Sequence, residues 1–222
     1  MTNFLPLVEK FHSIQGEGFH TGQSAFFIRL AGCSVGCSWC DTKHSWDKEK
    51  YPLIPIKKII DEIKKARKKG ASFLVITGGE PLHHNLDNLC QAINKETSEK
   101  DQNPIKIHIE TSGVNKMSGN YDWITLSPKR HLPPRTYFLK NFNELKIIIN
   151  DKKDIDFAID IKQEIMNKYQ NLSKDNFYKL DKKYYVQPAW ENASGFSLTI
   201  DFVKNNPEWN LSLQTHKYLK IK

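Results

Sequence analysis

The chain has 222 residues, 39% of them hydrophobic and 26% charged, with a formal net charge of +8. That length can bury a core within one domain, the composition is ordinary for a soluble globular protein, and no apolar run approaches the roughly 20 residues of a membrane span. The lysines are dispersed over helices and loops, as at Lys64, Lys65, Lys68 and Lys69, with no arginine-rich tract, so the charge reads as a solvated surface that suits an anionic small substrate rather than nucleic acid.

The first residues carry neither a basic flank nor an apolar signal core, so the expectation is a cytoplasmic protein without a targeting segment. Ala25–Leu30 reads as a strand that runs into a cysteine-bearing loop. Ile56, Ile59, Ile60, Ile63 and Ala66 fall at helical spacing, and Gly70 stops that helix. Phe73–Thr77 is a short continuous apolar strand, and Leu86, Leu89, Cys90 and Ile93 mark a second helix. Ile105–Glu110, Trp123–Leu126 and Leu145–Ile149 read as strands, and Ile155, Ala158, Ile159 and Ile165 as the apolar face of a third helix. Tyr184–Gln187 and Leu211–Leu213 close the set, with a helix between them near Ser197–Lys204. Two polar stretches, Lys95–Asn103 and Asn167–Lys182, read as surface insertions. Buried strands alternating with helices indicate an α/β fold with a mainly parallel sheet. Six or seven strands fall short of a closed eightfold barrel, so a single domain built as a partial, open β/α barrel is expected over residues 1–222, with its site at the C-terminal strand ends.

Three of the four cysteines, Cys33, Cys37 and Cys40, fall within eight residues, in the spacing C-x3-C-x2-C. Three close cysteines cannot pair among themselves, and reduced thiols suit a metal site better than a disulfide framework. Three thiolates on a 4Fe–4S cubane leave one iron open. A zinc site wants a fourth ligand, and His44 would complete only an unfamiliar spacing. Cys90 lies on the apolar face of its helix and reads as a core residue.

Other segments are polar where strands end. Thr77-Gly78-Gly79-Glu80-Pro81 follows a buried strand; its glycines let backbone approach a ligand, although a plain strand-to-helix turn reads the same way. Glu110-Thr111-Ser112-Gly113, Ser127-Pro128-Lys129 and Gln187-Pro188 also end strands. Gln15-Gly16-Glu17-Gly18 offers donors and acceptors of the kind an aminopyrimidinone edge would meet. Arg29 is a lone charge in an apolar strand. Its planar fork suits a substrate carboxylate, and the alternative is a structural pair with Glu17 or Asp41.

Taken in order, these segments, with Leu213-Gln214-Thr215-His216-Lys217-Tyr218 near the end, resemble the 7-carboxy-7-deazaguanine synthase family of the radical S-adenosylmethionine (SAM) superfamily, from about Glu9 to the C-terminus. The resemblance implies ring contraction of 6-carboxy-5,6,7,8-tetrahydropterin, started by a 5′-deoxyadenosyl radical, with loss of ammonia to give 7-carboxy-7-deazaguanine in queuosine biosynthesis. It implies a 4Fe–4S cluster on Cys33, Cys37 and Cys40, with SAM at Trp39, Asp41, Gly79, Ser127, Pro128, Lys129 and Gln187. Gln15, Gly16, Glu17, Arg29, Thr77 and His216 fall to the pterin, and Thr42 to Mg2+. A homodimer and an electron donor such as flavodoxin or ferredoxin are implied as well. A side chain at Gly79 is expected to intrude on the methionine amino group, so that Gly79→Val weakens SAM binding and spares the cluster. In the family the terminal carboxylate can reach the substrate. Here Lys220-Ile221-Lys222 follows Tyr218-Leu219, where relatives often have glycine, and that contact is not carried over.

Two other classes share some of these features. A glycyl-radical activating enzyme uses the same cysteine spacing on a protein substrate, and the polar Gln15–Gly18 segment, Arg29 and the Gln214–His216 tail argue instead for a small one. An iron–sulfur electron-transfer module would need a fourth protein ligand and leaves the glycine-rich segment unexplained.

Overall fold

The computed structural model describes residues 3–97, 104–169 and 181–222. Nine strands form one sheet: β1 (Phe4–Ile14), β2 (Ser24–Leu30), β3 (Leu53–Pro55), β4 (Phe73–Gly78), β5 (Lys106–Thr111), β6 (Trp123–Leu126), β7 (Glu144–Ile149), β8 (Lys183–Pro188) and β9 (Asn210–Leu211). Their order is β3-β1-β2-β4-β5-β6-β7-β8-β9. From β2 to β9 every pairing is parallel, whereas β1 runs antiparallel to β2 and β3. The first and last strands do not pair, so the sheet is an open one of the mainly parallel kind expected.

Among the described residues the α-helices are α1 (Ile56–Lys68), α2 (Asp87–Thr97), α3 (Thr136–Lys140), α4 (Lys152–Tyr169), α5 (Ala193–Asn205) and α6 (Thr215–Leu219). Helix α1 buries Ile59, Ile60, Ile63 and Ala66 as its spacing requires. On α4 the face is rotated from the expected one. Ala158, Ile161 and Ile165 are buried but Ile159 is half exposed, because the inward stripe follows 158, 161 and 165 and leaves 159 about 100° away. The two expected insertions begin inside α2 and α4; residues 98–103 of the first and 170–180 of the second lie outside the described residues.

Strands β1 and β3 raise the count above the six or seven expected. β1 holds Pro6 and the polar residues Glu9, Lys10, His12 and Ser13, a pattern that argues against a buried strand. It forms nonetheless because it lies next to the sheet's edge, where Phe4, Lys10, His12 and Ile14 are exposed to solvent. Side chains of the parallel strands alternate between two layers. Ile28, Leu74, Ile76, Ile107, Ile109, Leu145 and Ile147 enter the main core under the helices. Phe27, Phe73 and Val75 point the other way and pack with Phe11. Higher on that inner face, toward the C-terminal strand ends, the residues turn polar. Among the described residues no helix is long and apolar enough to cross a membrane.

Candidate active site

The C-terminal strand ends enclose a cavity of about 480 Å³, within the size range of small-molecule sites. Every site residue named from the sequence lines it except Pro128, which is buried between Ser127 and Lys129. Cys33, Cys37 and Cys40 are free thiols on one wall. Their loop is fixed by backbone bonds from Gly32 N–H to Ser45 O (2.7 Å) and from Cys33 N–H to Trp46 O (3.1 Å). The His131 ring bonds Val35 O at 2.9 Å.

The donor set suits an iron–sulfur cluster. Loop amides point at the sulfurs: Val35 and Gly36 toward Cys33, and Thr42 N–H toward Cys40 Sγ at 3.4 Å. Such bonds stabilise thiolate ligands. Burial pushes the Cys33 and Cys37 thiols up from their ordinary range, a cost that a cationic iron centre relieves. Among the described residues no three His, Cys, Asp or Glu side chains converge closely enough to hold a single ion; a cubane takes its thiolates at separate corners.

The Gly78-Gly79 backbone is pressed against this loop. Gly79 N–H bonds Leu30 O at 3.0 Å and Glu80 N–H bonds Gly32 O at 2.9 Å. A Cβ on Gly79 would lie 2.6 Å from Gly32 O and 2.8 Å from Cys33 Cβ. A side chain there meets the cysteine loop as well as the space expected for the methionine, so the geometry points to an effect on the cluster in addition to the one expected on SAM. Glu80 is a buried tie. It accepts from Leu82 N–H (3.1 Å), Thr111 Oγ1–H (2.6 Å) and Ser112 N–H (2.8 Å), locking two strand-end segments together.

Across the cavity a polar row follows the inner face. Arg29 pairs in register with Thr77, and Thr77 donates to Glu110 at 3.1 Å. Glu110 also accepts from Gln15 Nε2 at 3.2 Å. Lys146, unremarked in the sequence, is buried and forms an ion pair with Glu17. Burial opposes both charges. Attraction to Lys146 nevertheless holds Glu17 down at about 2, and Glu17, Glu110 and Glu144 together raise Lys146. A lone lysine in an apolar strand is the signal that singled out Arg29, and it could have found Lys146. Gln187 is buried and accepts from Ser212 Oγ at 2.7 Å, while Lys129 donates to Ser127 at 2.8 Å.

Arg29 pairs with neither Glu17 nor Asp41. Its Nε bonds Glu9 Oε1 at 2.9 Å, on the neighbouring antiparallel strand that the sequence did not reveal. Asp41 pairs instead with Lys217 at 2.6 Å. The Thr42 hydroxyl lies 3.5 Å from Cys40 Sγ and forms no side-chain cap on the turn that follows.

The C-terminal segment closes one side. Thr215 N–H and Oγ1–H both bond Gly16 O at 3.0 Å, and His216 packs so tightly on Gly16 that a Cβ there would overlap its ring. Gln214 bonds Glu17 at 2.9 Å. Lys222 lines the cavity and pairs with Glu9 at 3.0 Å, so the tail reaches the rim despite its altered sequence.

Comparison with known proteins matches this arrangement. Residues 27–128 fit the model of the radical SAM superfamily. A 7-carboxy-7-deazaguanine synthase of Prochlorococcus marinus is 46% identical over the whole of both chains. One from Flavobacterium psychrophilum is 40% identical over 98% of this chain and 92% of its own, and one from Escherichia coli is 34% identical over 97% and 98%. The crystal structure of QueE from Escherichia coli superposes with a TM-score of 0.74 at 28% identity, covering 95% of this chain and 93% of that one. The chain belongs to the 7-carboxy-7-deazaguanine synthase family of radical SAM enzymes.

Proposed function

We propose that the chain contracts the pyrazine ring of 6-carboxy-5,6,7,8-tetrahydropterin to 7-carboxy-7-deazaguanine, with loss of ammonia, as a step of queuosine biosynthesis. The observation that carries this reading is full-length identity to enzymes of that name, joined to one cavity lined by three thiols and a charged row. When bound, the 4Fe–4S cluster and SAM supply the 5′-deoxyadenosyl radical that starts the reaction.

The protein's part is to bind, orient and keep out water. Cys33, Cys37 and Cys40 hold the cluster. Trp39, Asp41, Gly79, Ser127, Pro128, Lys129 and Gln187 form the SAM side. Gln15, Gly16, Glu17, Thr77 and His216 receive the pterin, and Arg29 turns the rest of its guanidinium fork to the substrate carboxylate. Thr42 suits Mg2+, a hard ion that accepts one protein oxygen and completes its shell from substrate and water. Orientation is what these contacts contribute, because hydrogen abstraction needs near-contact geometry. The working enzyme on this reading is a cytoplasmic homodimer reduced by flavodoxin or ferredoxin.

The test is anaerobic turnover of the reconstituted protein with the pterin, followed by mass detection of the deazaguanine. Deazaguanine formation that Mg2+ accelerates, and accelerates much less in Thr42→Ala, is expected. SAM cleavage with no deazaguanine would sink the proposal.

A further inference from the structure

Beneath the active-site floor lies a second cavity of about 10 Å³. Gln15, Glu17 and Glu110 are shared with the large cavity above, and His20, Trp123 and Glu144 form the lower walls. One water needs roughly 10–15 Å³ by this measure, so the space fits a single water and no organic ligand.

The walls are polar and incompletely paired. His20 Nε2 and Trp123 Nε1 are both buried and find no protein partner, a condition native interiors rarely leave standing. His20 Nδ1 faces Gln23 Oε1 at 3.3 Å, and burial lowers the basicity of the ring. A neutral ring that donates through Nδ1 leaves Nε2 as an acceptor. The Trp123 indole lies near enough to Glu144 to favour its ionised form, yet no direct hydrogen bond of normal geometry closes between them. Glu144 is buried, accepts from Phe19 N–H at 3.1 Å, and lies so close to Gly18 that a Cβ there would overlap the carboxyl.

We propose that this floor cavity binds one ordered water bridging Trp123 Nε1, His20 Nε2 and the Glu144 carboxyl, and that Glu144, so held, is a positioning residue for the Gln15–Glu17 loop. The water accepts from the indole and donates to the imidazole and the carboxyl, three bonds in all, the usual number for a buried water. Glu144 in turn fixes the Phe19 amide, and with it the backbone that carries Gln15 and Glu17. The positioning clause rests on the substrate role proposed for those two residues.

Glu144 shares its surroundings with Lys146 on its own strand, Glu110 and His108 on β5, its register partner Lys183 and Tyr185 on β8, and His20 and Glu17 on the loop. Burial is the largest influence and carries Glu144 up to about 7 against the pull of Lys146 and the Phe19 amide. The bond to Phe19 is charge-assisted above that pH and weakens as pH falls through it.

The first test is a high-resolution crystal structure of the substrate-free protein. One water peak within about 3.2 Å of both Trp123 Nε1 and His20 Nε2 is expected; an empty cavity, or a direct Trp123–Glu144 bond that closes it, overturns the water site. The second compares the pterin KM of the parent and Glu144→Gln between about pH 6 and pH 8.5. The parent KM is expected to rise roughly three- to tenfold as pH falls through about 7. In Glu144→Gln it should stay flat near the acid-side value, with kcat moving less. KM curves that run parallel in the two proteins overturn the positioning role, whatever happens to stability. Should Glu144→Gln not fold, Trp123→Phe must lose or shift the water and raise KM, and an unchanged KM counts against the proposal. A parent that makes no deazaguanine removes the substrate reading and the positioning clause with it, while the water peak still decides the site.

Discussion

Alternate residues of the same strands carry opposite chemistry on the two faces of the sheet. Toward the helices, Ile28, Leu74, Ile76 and Ile109 are wholly buried among other apolar side chains. Toward the cavity, their immediate neighbours Arg29, Thr77 and Glu110 each need a polar partner, and the partners lie far off in sequence: Glu9 for Arg29, Gln15 for Glu110, Glu17 for Lys146 and Ser212 for Gln187. The helix side asks only for volume, so a change there is felt locally. On the cavity side each polar group is part of a network, and one change strands the group left behind.

The cysteines make the sharpest test of this contrast, since three line the cavity and the fourth lies in the helix-side core. Cys33→Ala is expected to lose its cluster on anaerobic reconstitution and to cut SAM cleavage to background, read from iron and sulfide content and 5′-deoxyadenosine yield. Cys90, in the helix-side core with its thiol pushed up to about 11 by burial, should be dispensable. Cys90→Ala keeps cluster and cleavage and loses on the order of 1 kcal/mol of stability. A Cys33→Ala protein that retains a full cluster would break the contrast.

Next in size is Gly79→Val. Its new side chain meets backbone and Cβ atoms of the cysteine loop at 2.6–2.8 Å, atoms that cannot swing aside. The expected result is a folded protein with cluster content reduced severalfold and SAM affinity reduced with it. Full iron loading with only SAM affinity lost would restore the simpler view that Gly79 borders the methionine alone.

Lys146→Met probes the network directly. Removing it leaves Glu17 beside Glu110 and Glu144 without the cation that holds the three together, and breaking such a buried pair costs about 3–5 kcal/mol. The sign with pH follows from Glu17. Its carboxyl sits at about 2 in the folded chain against an ordinary 4.5, so its ionised form stabilises the fold above about pH 4.5, and that stability is lost as pH falls toward 2. Without Lys146, burial raises the Glu17 carboxyl, so the deficit of Lys146→Met in denaturant titrations should be largest at high pH and shrink progressively as pH falls toward 2. A deficit independent of pH would mean that lysine packing, and not the pair, is what stabilises.

How much of this was legible follows from the range of each interaction. The cysteine loop, the inward stripe of α1 and the core position of Cys90 depend on spacing within a few residues, and the sequence carries that spacing. Strand β1 did not announce itself, because Pro6 and its polar run mask a strand that is stabilised by its neighbours rather than by its own burial. Without β1 the partner of Arg29 was invisible, since Glu9 reaches it only across that pairing. Ile159 illustrates a smaller failure: apolar residues at helical spacing fix a face only to within one position. Lys146 and Glu144 were readable in kind, as charges inside an apolar strand, but their partners were not.

The smallest effect expected is at Arg29, and it separates two roles that the geometry joins. Its Nε is committed to Glu9, and Glu9 also holds Lys222. Burial alone would raise the Glu9 carboxyl, but the bonds from Lys222 and Arg29 bring it below its ordinary value. If that pair were the whole purpose of Arg29, removing either partner should have the same consequence. If the rest of the guanidinium fork binds a substrate carboxylate, the two removals differ. Losing a charge-assisted hydrogen bond costs about 1.5–3 kcal/mol, hence roughly ten- to hundredfold in the pterin KM for Arg29→Ala, with SAM affinity little changed. Glu9→Ala leaves the fork in place but less constrained, and should raise KM only a few-fold. The double variant should then match Arg29→Ala, because Glu9 acts on substrate only through the arginine it holds. Equal effects of the two single variants on KM would return Arg29 to a structural role.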